Sequence, residues 1–289
     1  MVAIAETAPQ PRRHPALAFL RRHPTMVAGL AILAAMIAMA ILAPALGTID
    51  PQALSPVRRL RQPSAEWWFG TDMLGRDVYS RTIYGARVSL AVGLSVAILS
   101  TIVGLGFGLV TGFVRWVDAI LMRVMDGLMS IPPVLLAIAL MALTKASVGN
   151  VIVAITLSEV PRVTRLVRGV VLTLREQPFV EAAVATGSRF PRVLLRHILP
   201  NTIAPLLVQG TYICASAMIT EAILSFLGAG TPLNVPSWGN IMAEGRALFQ
   251  VAGYIILFPG IFLSLVVLAV NLVGDGLRDA LDPRLARNM

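Results

Sequence analysis

Six long apolar stretches recur along the 289-residue chain, near residues 26–46, 88–112, 119–143, 149–170, 202–224 and 252–274, and they constrain the fold more than any other feature. Each can supply the ~20 helical residues that carry a chain across the hydrocarbon core of a bilayer. An open strand cannot satisfy its backbone hydrogen bonds in lipid, so the expected class is all-α, with six transmembrane helices. Composition agrees: 56% of residues are hydrophobic and 13% charged, against about a quarter charged in a soluble domain. The first stretch follows "RRHP" and ends in "ILAPALG", similar to a signal-peptide cleavage site. Its apolar run exceeds the ~7–15 residues of a signal core, so a retained anchor is expected.

The net charge is +9, and 23 of the 24 basic residues are arginine. In a soluble chain this would suggest nucleic acid; here the charges fall between the apolar stretches, so they report topology instead. Arg12, Arg13, Arg21 and Arg22 precede the first stretch, Arg115 and Arg123 flank the turn after the second, seven arginines from Arg162 to Arg196 lie between the fourth and fifth, and Arg278, Arg284 and Arg287 follow the sixth. With an even number of spans these positions share one side, which the positive-inside rule assigns to the cytoplasm. Both termini are therefore expected inside. The chain divides into a tail, 1–25; a first span with an extracytoplasmic segment, 26–85; and a five-helix core, 86–289. In the outer segment Trp67, Trp68, Phe69, Tyr79 and Tyr84 suit a membrane interface, and Asp72 is expected to cap a short helix leading into the second span. One cysteine, Cys214, excludes an internal disulfide framework. The three histidines lie far apart, so no metal site is expected.

Several features inside the spans carry more than one reading. Ser100, Gly104, Gly108 and Gly112 place small residues at intervals of four, which lets another helix approach closely, from this chain or from a partner. In "SIPP", Pro132 and Pro133 remove two helix hydrogen bonds and predict a kink or break, either as packing geometry or as a bend bordering a translocation path. Arg123 and Asp126 are spaced to pair. Glu159 falls roughly 15 Å from the outer end of its helix at 1.5 Å per residue. It either pairs with Arg162 or forms part of a polar patch on a substrate route. Glu221 lies toward the outer end of the fifth span, before the Gly- and Pro-rich loop "SFLGAGTPLNVPSWGN".

Between the fourth and fifth spans the apolar pattern gives way to "FVEAAVATGSRFPRVLLRHILPN". Pro178 suits a helix start. Phe179, Val180, Ala183, Val184 and Gly187 fall on one helical face, and Glu181 sits in the first turn, where the dipole favours a carboxylate. Gly187 is placed to end the helix with a left-handed residue, and Pro200 to close a second helix. Helix, tight turn, helix is expected near 176–200.

Glu181-Ala182-Ala183, three residues, Gly187, then a hydrophobic helix closing in Leu199-Pro200, resembles the "EAA" loop of ABC-importer permeases, though His197 stands where that family often has isoleucine. "FGTDMLGRDVYSRTIYGARVSL", "SFLGAGTPLNVPSWGNIMAEGR" and "NLVGDGLRDALDPRL" extend the resemblance over nearly the whole chain, toward the second permease subunit of dipeptide, oligopeptide and nickel importers. The resemblance implies a type I importer in the bacterial cytoplasmic (inner) membrane. Its partners would be a homologous permease subunit, two cytosolic ATPase subunits and an extracytoplasmic substrate-binding protein, with lipid around it and no nucleic acid. The EAA loop would be a coupling helix seated on an ATPase. ATP and Mg would belong to those subunits and no cofactor to this chain. The sequence agrees: Lys145, the one lysine, is flanked by Thr144 and Ala146, whereas a phosphate-binding loop needs Gly-Lys-Ser/Thr. An ion-gradient-driven secondary transporter is the alternative. It would want a relay of intramembrane acids, of which only Glu159 and Glu221 are candidates, and it leaves the docking loop unexplained.

Overall fold

The computed structural model describes residues 23–281. Among these, the regular elements are helices, apart from an isolated bridge between Thr71 and Asp77. The tail arginines Arg12, Arg13, Arg21, Arg22, Arg284 and Arg287 lie outside the described residues. The longer helices are α1 (Pro24–Ile41), α2 (Val78–Phe113), α3 (Arg115–Met129), α4 (Pro133–Ala142), α5 (Val148–Arg175), α6 (Pro178–Ala185), α7 (Leu199–Phe226), α8 (Trp238–Gly245) and α9 (Tyr254–Leu281). Four of the described helical segments are long and apolar enough to cross a membrane: α1, α2, α9, and α7 with the turns that lead into it. A fifth is added if α3 and α4 count as one interrupted span. The stretch 149–170, expected as a span, forms the long helix α5 but falls outside that set. It carries Glu159, Arg162, Arg165 and Arg168 along its length.

The small-residue stripe decides how α2 packs. It faces α5 of the same chain, in the most extensive helix–helix contact of the fold. A Cβ added at Gly104 would lie 2.5 Å from Val163 Cβ, and one added at Gly108 2.5 Å from Val167 Cβ. One added at Gly112 would lie 2.6 Å from Val171 Cβ. Each step of four along α2 is matched by a step of four along α5 in the same direction, so the two helices run parallel. Ser100, at the head of the stripe, is fully buried. By the same register it lies opposite Glu159. The chain leaves α2 beside the end of α5, yet must begin α5 at the far end of a 28-residue helix, about 42 Å away. The α3–α4 pair makes that return. Helix α7 runs antiparallel to α2, with Gly93 against Met218 and Gly210 against Thr101, and α1 packs antiparallel on α9, Met26 against Gly276.

Two proline expectations resolve differently. At "SIPP" the stretch 119–143 is not one helix: α3 and α4 meet at 90°. Pro132 is extended (φ −53°, ψ 132°) and Pro133 opens α4, where a missing N–H costs nothing. Pro200 does not close a helix. A turn at Phe190–Val193 and a π-turn at Leu194–Ile198 run directly into α7. The Leu199 N–H donates to the Leu194 carbonyl, five residues back. The ladder has shifted to the wider register before it reaches the residue that cannot donate, so the proline is absorbed.

At the opposite end, residues 42–77 fold over the bundle. Asp72 does not cap α2; Asp77 does, its carboxylate accepting from the Ser80 N–H at 2.9 Å. Asp72 anchors an ion cluster instead. Its Oδ2 accepts from Arg76 Nε at 2.7 Å and Arg81 Nη1 at 2.6 Å. Arg81 reaches on to Glu244 of α8 at 2.5 Å, and Arg76 pairs with Glu244 as well. Two acids and two arginines balance, and Asp72 and Arg81 are 1% exposed. Trp238, fully buried, donates from Nε1 to the Thr82 carbonyl at 2.9 Å.

Candidate functional site

Two features stand out from the apolar scaffold. The first is α6, between α5 and α7 at the end where α2 and α5 terminate. Gln177 is its N-cap, Pro178 its first residue, and Glu181 lies in its first turn. It ends on Gly187 at φ +80°. The Gly187 N–H donates to the Val184 carbonyl at 2.9 Å and the Ser188 N–H to the Ala183 carbonyl at 3.1 Å. This is a Schellman closure, in which two carbonyls left orphaned by the helix end are satisfied by a left-handed residue. The apolar face read from spacing is split. Val180 is 2% exposed and points inward, whereas Phe179 is 45% and Val184 58% exposed. Glu181 and Ala182 are exposed and Ala183 is half-buried. A short, stiffly capped helix therefore offers Phe179, Glu181, Ala182 and Val184 outward. Leu199 and Pro200 lie beyond it, at the start of α7.

The second feature is a polar seam along α5. Thr156, Glu159, Arg162, Arg165 and Arg168 recur every third residue. Arg168 makes a two-pronged pair with Asp118 of α3, one prong at 2.8 Å. Arg165 pairs with Asp126 at 2.6 Å. The sequence spacing suggested Arg123 for Asp126; the structure gives it a partner 39 residues away. Arg162 lies 3.4 Å from Glu159 and over the ring of Tyr212 on α7, 5.4 Å from its centroid. Glu159 is 3% exposed. Its Oε2 has no hydrogen-bond partner, and neither do the buried polar atoms Ser100 Oγ, Thr156 Oγ1 and Gln209 Nε2. Of these, Ser100 on α2 lies opposite Glu159 by the register of the two helices. Pro132 and Pro133, read alongside Glu159, are exposed at the α3–α4 break. Glu221 belongs elsewhere: it is fully buried and its Oε1 accepts from Ser225 at 2.8 Å and Ser237 at 2.9 Å, pinning the following loop onto α7. Nothing in its local sequence signals this, because Ser237 is 16 residues away.

Among the described residues, long apolar helices, a charged seam between them and a capped surface helix fit a multi-pass membrane protein. Comparison with known proteins gives the family. Residues 100–287 match the binding-protein-dependent transport system inner membrane component, and residues 15–63 match the N-terminal TM domain of oligopeptide transport permease C. The chain is 54% identical to a probable peptide ABC transporter permease protein of Sinorhizobium fredii, over 98% of this chain and 97% of that one. It is 42% identical to a dipeptide transport system permease protein of Alkalihalophilus pseudofirmus, over 92% and 88%. With a glutathione transport system permease protein of Pectobacterium atrosepticum the identity is 40%, over 92% and 89%. In fold it is similar to a chain of the MetNI methionine ABC transporter in an inward-facing conformation, with a TM-score of 0.57 and 19% identity, covering 70% of this chain and 96% of that one. The chain belongs to the inner-membrane components of binding-protein-dependent transport systems. It is a multi-pass membrane permease subunit of an ATP-driven importer.

Proposed function

We propose that this chain forms half of the translocation path of a peptide importer, beside a homologous permease subunit, with two cytosolic ATPase subunits and an extracytoplasmic binding protein. The relatives named for peptide, dipeptide and glutathione transport support a peptide or similar small solute. Six crossings follow if α3–α4 is one interrupted span and α5 another. The parallel register of α2 and α5 supports this, since only a return crossing lets both run the same way. Both termini, and α6, then lie in the cytoplasm. Nucleotide and Mg are bound by the ATPase subunits, and this chain needs no cofactor of its own.

The observation that carries the coupling role is the closed geometry of α6. An eight-residue helix has little stability of its own, yet this one has Pro at its start, a Schellman turn at its end and an exposed face. Such a helix transmits a push as a rigid body. Glu181, Ala182, Ala183 and Gly187 form the contact and its hinge to the bundle, with Leu199 and Pro200 joining it to α7. The seam at Glu159, and the break at Pro132 and Pro133, border the path. The test is cross-linking in the native complex: Ala182→Cys in a Cys214→Ser background should join to an ATPase subunit with a short bifunctional maleimide. An intact complex in which that cysteine joins only to membrane chains refutes the coupling role.

A further inference from the structure

Of the three arginines in the α5 seam, two are hydrogen-bonded to an acid on a neighbouring helix. Arg165 and Arg168 each make short charge-assisted hydrogen bonds to an aspartate of α3. Arg162 differs. Its distance to Glu159 satisfies an ion pair but no hydrogen bond, and Glu159 Oε2 stays unpartnered. Among the described residues its guanidinium donates no hydrogen bond to a protein acceptor. Its side chain is 39% exposed, and the Tyr212 ring against it is 51% exposed. The guanidinium sits over the ring at cation–π distance, a contact that uses its face and none of its N–H donors. Arg162 is the fifteenth residue of α5, about 21 Å from the helix start; with α5 as a span, as proposed above, that depth falls within the ~30 Å hydrocarbon core. An arginine at such depth faces the bundle interior or water, because exposure to hydrocarbon is costly.

We propose that Arg162, set over Tyr212 and backed by Glu159, is a transient subsite for the carboxylate of a solute crossing the membrane. The proposal rests on the reading that this face of α5 lines the path. A guanidinium fork with its edges free takes a carboxylate through two parallel hydrogen bonds. Glu159, 3.4 Å away, competes for the same guanidinium, so the subsite draws a carboxylate without holding it as a lone buried cation would. Loose binding is what a path requires: the solute must leave as readily as it enters. Peptides carry the matching group at their C-terminus. Ser100, opposite Glu159 by helix register, and Thr156, one turn away on α5, have buried hydroxyls without partners and add polar surface there.

The test needs no knowledge of the natural solute. Tyr212→Cys in a Cys214→Ser background places a thiol beside the guanidinium. In the assembled complex in lipid nanodiscs, its modification rate is measured with the anionic reagent sulfonatoethyl methanethiosulfonate and a trimethylammonium counterpart, each normalised to a free thiol. The anionic reagent should react about tenfold faster, and adding Arg162→Gln should abolish or reverse the preference. Arg162→Gln in the Tyr212 background should also lower maximal uptake more than Arg162→Lys does, with solute affinity of the binding protein unchanged. A thiol inert to both reagents in the complex and in the isolated chain refutes the path reading itself. A thiol reactive in the isolated chain but inert in the complex means that a partner subunit covers Arg162, which overturns the subsite. Reactivity without charge preference, or with a preference that survives Arg162→Gln, overturns the subsite and leaves the path reading standing.

Discussion

Gly187→Val separates backbone strain from every other effect a substitution can have. A Cβ at Gly187 meets nothing within 4 Å, so no clash is introduced, while its φ of +80° is retained only at a cost. The left-handed conformation costs an ordinary residue ~1–2 kcal/mol, and β-branching raises it. The two bonds that close α6, to Ala183 and Val184, contribute ~0.5–1.5 kcal/mol each. The penalty is therefore comparable to what holds the turn, and the helix end should open rather than stay strained. At about 1.4 kcal/mol per factor of ten, a 2 kcal/mol penalty shifts the closed population by roughly 30-fold. The bundle gains its stability elsewhere, so the variant should insert normally and keep the proposed pairing with a second permease, while docking of the ATPase weakens and uptake falls sharply. Gly187→Asn should be milder, since asparagine tolerates this region best among non-glycine residues. Ser188→Ala should be neutral, because Ser188 contributes its backbone N–H to the closure. The assays are co-purification of the ATPase subunits and substrate-stimulated ATP hydrolysis in reconstituted vesicles. If Gly187→Val assembles fully and transports at the wild-type rate, the strain argument for α6 is wrong.

Three further outcomes are expected. Gly108→Leu should lower the melting temperature in detergent by the equivalent of ~1–3 kcal/mol of overpacking, because its Cβ alone would press on Val167, while Gly106→Leu on the open face of the same helix should not. Arg81→Met leaves Asp72 and Glu244 to share Arg76, one buried carboxylate in excess, and should cost about 3–5 kcal/mol; adding Asp72→Asn should recover part of it, since Asp72 accepts directly from Arg81, and a melt unchanged by Arg81→Met would show the ion cluster to be dispensable. With Cys214→Ser as background, an impermeant maleimide added from outside should label Ser64→Cys and spare Ser188→Cys, and the reverse pattern would invert the orientation.

What the sequence made legible was local. The apolar stretches gave helices because a run of that length has no other way to satisfy its backbone in lipid. The break at Pro132–Pro133 and the left-handed turn at Gly187 followed from residues that act on their own φ and N–H. The stripe of Ser100, Gly104, Gly108 and Gly112 announced a close approach but not its partner, which the register with Val163, Val167 and Val171 supplied. Pro200 was misleading because the π-turn that absorbs it depends on the register of the whole preceding segment. Charge pairing was the least legible. Helical spacing offered Arg123 to Asp126, an exposed neighbour pair worth a few tenths of a kcal/mol. The fold instead brings Arg165 and Arg168 across to α3.

That choice of partner bears on how the seam works. An arginine on a packed helix gains from an acid on its neighbour, and a partner on its own helix would not tie α3 to α5. Pairing across helices neutralises Arg165 and Arg168 and at the same time fixes α3 against α5, just before the 90° break. Arg162 is the one left with its neutralising acid on its own helix, in loose contact, and with an aromatic face instead of a second anchor. Of the three, it alone can exchange partners without loosening a helix contact. Disrupting Asp118 or Asp126 should therefore change how α3 sits on α5 and reduce the yield of assembled complex, whereas disrupting Arg162 should spare assembly and be felt in transport.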